Sequence, residues 1–219
     1  MGAFLFKREK CRVQIPDTLI DLALDKAAEM AEHHHRYVLD GAASRKSIDD
    51  LVWIVTTYLL KDVSILEIDI PADTGSIRAF MVRYPLRYDI VMLAEKNFCL
   101  KRFVLCKELF QVILDDDRFH NVDIYKQMEE SALAMMDVKS SPSMNVISEA
   151  LAEIATIEFL FPYADRIAIT RSLAPGQEAD SSAIAERYKI PKLWVERALS
   201  APVMAFYGAH FERRARQRG

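Results

Sequence analysis

Residues Phe103 to Asp117 constrain the fold more than any other stretch of the chain. Leu105, Leu109, Val112 and Ile113 recur at spacings of three and four, the period of one helix face. Lys101 and Arg102 lead into the segment, and an acidic run, Asp115 to Asp117, closes it. Negative charge at a helix C-terminus opposes the macrodipole, so a helix here must draw its stability from burial in the core. Around it the pattern reads as two amphipathic helices, about three short strands, this helix, and then helices to the end.

The centre of the stretch is Lys107-Glu108-Leu109-Phe110-Gln111. Positions four apart share a helix face. That is how a His-Glu-x-x-His helix puts two imidazoles on one zinc with a glutamate beside them as general base. Here lysine and glutamine stand where the histidines would be, and only Glu108 keeps its place. On its own, one glutamate in a helix specifies nothing.

The flanking segments supply context. Pro16 precedes a helix predicted over Asp17 to Leu39, with Leu19, Leu22, Ala23, Ala27, Met30 and Ala31 as its apolar stripe. His33, His34 and His35 fan out around its end and cannot converge on one metal; they read as a polar terminus where imidazolium suits the dipole. Gly41, Ala42 and Ser44 break the pattern. Ser47, with Asp50 three residues on, resembles a capping box for a second helix through Leu51, Ile54, Val55, Tyr58 and Leu59. The period then shortens to two. Strands are predicted over Ile65 to Ile70, Ile77 to Tyr84 and Tyr88 to Leu93, with a turn at Pro71 to Gly75 and a link through Pro85.

With that order in place, residues Tyr88 to Asp117 resemble the ImmA/IrrE family of zinc-dependent metallo-endopeptidases. In that family a strand is followed by a helix of the type Arg-x-Arg-Phe-x-Leu-Ala-His-Glu-x-x-His. Here Lys101-Arg102-Phe103-Val104-Leu105-Cys106 precedes Lys107-Glu108-Leu109-Phe110-Gln111 in register. Two later blocks match in order. Glu149-Ala150-Leu151-Ala152 is followed by Phe159-Leu160-Phe161-Pro162, and Ile184-Ala185-Glu186-Arg187-Tyr188 resembles a downstream helix of the family. The resemblance spans roughly Ile65 to Leu199. It implies zinc ligands at positions 107, 111 and 149, with Glu108 as base.

The departures bear directly on chemistry. A protonated lysine has no free lone pair and repels a dication, and glutamine is a poor zinc ligand beside imidazole. A catalytic zinc needs about three protein ligands and an open position for water. The expectation is therefore a non-catalytic protein with no cofactor. Glu108 would stand at a vestigial base position, and Lys107, Gln111 and Glu149 at former ligand positions. The alternative is an active peptidase with unusual ligands and zinc. His120 and His210 have no partner at a ligand spacing. No Gly-rich phosphate loop or nucleophile elbow occurs.

The remaining features are consistent with a cytoplasmic regulatory protein. The net charge is −3, and no apolar run approaches a membrane span. The basic residues Lys7, Arg8, Lys10 and Arg12 are not followed by a signal-peptide core. The cysteines, Cys11, Cys99 and Cys106, are three in number and unevenly spaced. They are expected to be reduced, with Cys106 a buried structural thiol rather than a reactive one. Tyr125, Met128, Ala132, Met135 and Met136 make a helical stripe that is core filler or a partner groove. After Ala174-Pro175-Gly176, an N-cap at Asp180 to Ser182 opens two short helices, Ala183 to Tyr188 and Lys192 to Leu199. Their shape also suits a DNA-reading helix-turn-helix. Leu193, Trp194, Val195 and Leu199 are expected to be buried. The tail from Arg213 to Arg218 reads as a solvated basic end able to bind nucleic acid weakly.

The fold expected is α+β: a small mixed sheet of about three strands packed on helices, with a helical C-terminal portion. Three regions are expected: helices over 1–62, a metallopeptidase-like core over 63–173, and a C-terminal subdomain with the basic tail over 174–219. By resemblance, active members cleave regulatory proteins, often helix-turn-helix repressors of mobile elements or of stress responses. A protein partner is accordingly expected, with no membrane.

Overall fold

A computed structural model describes residues 15–37, 46–69, 79–85, 87–94, 97–115, 144–174 and 176–218. Cys11, the basic N-terminal residues, Gly41 to Ser44, the turn at Pro71 to Gly75, Asp116, Asp117, His120, the stripe from Tyr125 to Met136 and Pro175 lie outside them. The elements run α1 (Asp17–Tyr37), α2 (Ile48–Tyr58), β1 (Asp62–Ile68), β2 (Ala79–Arg83), β3 (Arg87–Leu93) and α3 (Phe98–Ile113). After them come α4 (Met144–Leu160), α5 (Tyr163–Ser172), α6 (Ser181–Tyr188), α7 (Lys192–Leu199) and α8 (Ala201–Arg218). The architecture is α+β, with a small mixed sheet and a helical C-terminal portion. None of the described helices is long and apolar enough to cross a membrane.

The sheet order is β1-β3-β2. β1 runs parallel to β3, with Ile65 opposite Ile90, and β2 runs antiparallel to β3, with Met81 opposite Ile90. β3 is thus the central strand. Tyr88, Ile90 and Met92 alternate into the core, whereas β1 and β2 are edge strands whose residues are half-buried or exposed. β1 begins earlier than its alternation suggests, because Val63 and Ser64 already pair with Tyr88 and Asp89.

α3 starts at Phe98, five residues before the predicted start, because Asn97 caps it: the Asn97 side chain accepts from the Leu100 N–H at 3.1 Å. Nearly every residue from Arg102 to Ile113 is buried, as its charge pattern requires. Of the acidic run, only its first residue is described. Asp115 falls past the C-cap Leu114, where its carboxylate accepts from the Tyr88 hydroxyl at 2.5 Å and sits 3.4 Å from the Arg83 guanidinium. Lys61 donates to the Val112 carbonyl at 2.5 Å, bringing a cation to the negative end of the helix dipole.

At the start of α2 the capping box forms as its sequence suggests. Ser47 Oγ accepts from the Asp50 N–H at 3.0 Å, and Asp50 accepts from the Ser47 N–H at 3.2 Å. The same carboxylate lies 3.2 Å from His34 Nε2. This corrects the reading of the histidine run. His34 is buried and burial lowers its pKa, so it is a packed neutral ring rather than an imidazolium at a solvated helix end. His33 stacks on Tyr58, and only His35 is exposed. The buried face of α1 is Ile20, Ala23, Leu24, Ala27, Met30 and His34, with Leu19, Leu22 and Ala31 at its margin, because the helix packs against both α4 and α2.

The C-terminal helices are fastened to this core by side chains rather than by a linker alone. Arg102, almost wholly buried, donates to the carbonyls of Tyr188 at 2.7 Å and Lys189 at 3.1 Å, and to that of Lys46 at 2.6 Å. One guanidinium thereby ties α3 to the end of α6 and to the entry of α2. Phe103 stacks on Trp194 at 4.4 Å between centroids. Val195 is buried and Trp194 and Leu199 are half-buried, but Leu193 is 70% exposed, contrary to its expected burial, because successive helix positions are turned about 100° from one another and need not share the buried face. In α8, Tyr207 is fully buried and donates to the Ile154 carbonyl at 2.9 Å. Gly208 permits the close approach, since a Cβ there would lie 2.7 Å from the Tyr163 hydroxyl.

The first part of the basic tail is not solvated, whereas Arg216 is exposed. Arg213 reaches Asp17 and, at 2.6 Å, Asp21; Arg214 is buried and paired with Asp25; His210 is buried with Nδ1 3.1 Å from Asp21. Removing residues 212–219 should therefore lower stability by about 1–2 kcal/mol, given mostly half-exposed pairs. That corresponds to a melting temperature lower by about 2–8 °C for a chain of this size. Calorimetry of the truncated protein checks this, and an unchanged melting temperature would return the tail to solvent.

Candidate functional site

The residues singled out by the α3 motif come together where α3 crosses α4. Lys107 and Gln111 lie one turn apart on α3, and both reach Glu149 on α4. Lys107 Nζ is 2.5 Å from Glu149 Oε2, and the Gln111 amide donates to Glu149 Oε1. Lys107 Nζ also lies 3.0 Å from Glu108 Oε1. One ammonium thus bridges two carboxylates, the deeply buried Glu108 and the half-exposed Glu149.

A fifth group, which the motif did not mark, completes the cluster. Glu153 follows Glu149 by one helical turn on α4, is buried, and lies 3.1 Å from the Arg197 guanidinium of α7. Arg197 in turn lies 5.0 Å over the Trp194 ring. The i, i+4 spacing of the two glutamates was the signal available in the sequence, since it places them on one face. Two cations, Lys107 and Arg197, then face three carboxylates, Glu108, Glu149 and Glu153.

The electrostatics follow from burial and this imbalance. Glu108 is 1% exposed, and its pKa is pushed up to about 7 by burial first and by Glu149 second, with Lys107 opposing. Neither Glu108 oxygen has a hydrogen-bond partner in good alignment; the Lys107 contact is an ion pair rather than an aligned hydrogen bond. Burial likewise pushes Glu153 up to about 7, against the pull of Arg197 and Lys107. Burial pulls the Lys107 ammonium down, but the carboxylates of Glu108 and Glu149 outweigh it and leave its pKa raised. Lys107 is accordingly a fixed positive charge and not a base. Cys106, next in sequence, is wholly buried, and its thiol is pushed up to about 12, so it is an inert core residue.

A zinc ion does not fit this donor set. The side chains turned toward Glu149 are an ammonium, which has no lone pair to offer, and a glutamine amide, which donates its N–H there and is a poor zinc ligand. Among the described residues no three His, Cys, Asp or Glu side chains are grouped to hold a metal. His210 lies in the α1–α8 contact, bonded to Asp21. In the α6–α7 pair, Lys192 lies 3.7 Å from Glu196, and Arg197 is turned inward to Glu153.

No family model matches the sequence, and no curated protein matches it. Among solved structures, the chain is similar to a Mycobacterium tuberculosis transcriptional regulator, with a TM-score of 0.41 and 16% sequence identity over 82% of this chain and 49% of that one. The chain thus spans about half the length of that protein.

Proposed function

We propose that this protein is a non-catalytic relative of the ImmA/IrrE peptidases that acts in regulation by binding a protein. The observation that carries the reading is the position of Lys107. Its ammonium supplies positive charge between Glu108 and Glu149, where the family resemblance would place a metal dication. Glu108 then has no activated water to deprotonate, and its burial keeps it partly protonated near neutral pH. The scaffold retains a peptidase-like order of elements, while the charges that would do chemistry are locked in an internal ion cluster.

The surface that would engage an extended segment is the free edge of β2, beside α3. β2 lies at the end of the sheet order, so among the described residues its outer main-chain groups have no strand partner, and Phe80 is 47% exposed on it. Strand addition there needs only backbone groups on the partner. The natural protein should carry no stoichiometric zinc, and Phe80→Asp with Val82→Lys should abolish capture of a protein partner from the native host without loss of helicity. Stoichiometric zinc would restore the active-peptidase alternative. Undiminished capture by the folded β2 variant would move the partner to another surface.

A further inference from the structure

The arginine-rich end of the chain meets a matching acidic stripe. Asp17, Asp21 and Asp25 fall at four-residue spacing on α1, one per turn, so they line a single face. Against them α8 sets His210, Arg213 and Arg214. Arg213 takes Asp17 and, at 2.6 Å, Asp21; Arg214 takes Asp25; and His210 Nδ1 lies 3.1 Å from Asp21 and 2.7 Å from Arg213 Nη2. That imidazole nitrogen cannot both donate to the carboxylate and accept from the guanidinium, so only one of these two contacts of His210 can be a hydrogen bond at a time. Arg216 lies outside the stripe, with a side chain 79% exposed.

We propose that the acidic stripe of α1 is an intramolecular mask over a phosphate-binding end of α8, and that duplex DNA is the ligand withheld. The last seven residues hold four arginines, Arg213, Arg214, Arg216 and Arg218. Each guanidinium is a bidentate phosphate donor when it has no carboxylate to hold. The carboxylates that hold Arg213 and Arg214 present acceptors like those of a DNA backbone and are always at hand, so they compete with it. A bilayer is disfavoured as the ligand, because the aromatic residues of this helix turn inward: Phe211 stacks on Tyr163 at 5.2 Å and Tyr207 is fully buried. An anionic membrane would find charge there without an apolar face to insert.

The test measures binding of a 20-bp duplex of arbitrary sequence over a range of salt concentrations, for the full chain and its variants. Asp17→Asn with Asp21→Asn and Asp25→Asn releases both arginines. Asp49→Asn with Glu178→Gln and Glu186→Gln makes the same change in net charge at exposed positions away from α8. The stripe variant should bind roughly tenfold more tightly than this control at low salt. The slope of log K against log salt should steepen by about 2, since each phosphate contact contributes about 0.9. Adding Arg213→Gln and Arg214→Gln should cancel both effects. Should the triple variant lose helicity, Asp25→Asn alone frees Arg214 and should exceed Asp49→Asn with a slope change of about 1. A folded stripe variant that binds no more tightly than its charge-matched control overturns the proposal.

Discussion

Replacing Lys107 and Gln111 together by histidine should turn the ion cluster into a zinc site. Both side chains already reach Glu149 across the α3–α4 crossing. Residues one turn apart on α3 can present two imidazole nitrogens to the same point, and Glu149 can supply a carboxylate as third ligand. Removing the ammonium also removes the charge that would repel a dication. Glu108, beside the site, would then neighbour a metal dication rather than the lysine ammonium. The double variant should take up one zinc per chain with Kd at or below about 1 μM, about 8 kcal/mol of binding free energy. Binding to the folded state should raise the melting temperature with the logarithm of the free metal concentration. Elemental analysis and titration calorimetry read this directly. Lys107→His alone should not suffice, because Gln111 offers a poor ligand. A folded double variant that takes up no zinc would mean that positions 107, 111 and 149 do not share the geometry of a metallopeptidase site, and the family register would fall with it.

The main helices and strands were legible because their signals are local. The Ser47–Asp50 capping box and the Asp180 N-cap formed where the sequence places them, and the two-residue period located β2 and β3 within a few residues. The α3 helix was legible as buried because its apolar spacing and its acidic end left burial as its support. Misreadings arose where a polar side chain found a partner far away in sequence. His34 looked like a solvated helix end, but Asp50 lies sixteen residues on. Arg213 and Arg214 looked solvated because their carboxylates lie at the other end of the chain, on α1. Of the cluster, Lys107, Gln111 and Glu149 were singled out by a family resemblance, and the structure brings the three together. Glu153 and its pairing with Arg197 were not, since only the docking of α7 on α4 brings them together.

Lys107→Ala should destabilise the fold with a penalty that grows with pH. The Glu108 carboxyl is raised from its ordinary 4.5 to about 7. Its neutral form is therefore the favoured one in the folded state, and the stability it contributes is fully present below about pH 4.5 and lost as pH rises through about 7. That loss is at most on the order of 3 kcal/mol, the free-energy equivalent of such a shift. In the native protein Lys107 limits it by holding the ionised form at 3.0 Å. Without the ammonium, the ionised carboxylate stands 1% exposed with no cation at ion-pair distance, and its pKa moves further up. At pH 5 Glu108 is protonated in both proteins, so the variant should lose under about 1 kcal/mol, chiefly the half-exposed contact with Glu149. At pH 8 the loss should reach about 2–3 kcal/mol, short of the 3–5 expected for a fully sealed pair, because Glu108 can take up a proton instead. Urea midpoints at the two pH values measure the difference. Adding Glu108→Gln should remove the pH dependence and restore most of the stability at pH 8, because an amide has no charge to strand. A penalty of equal size at pH 5 and pH 8 would show that Lys107 acts through packing of its stem, and that the ammonium does not stand in for a cation between the two carboxylates.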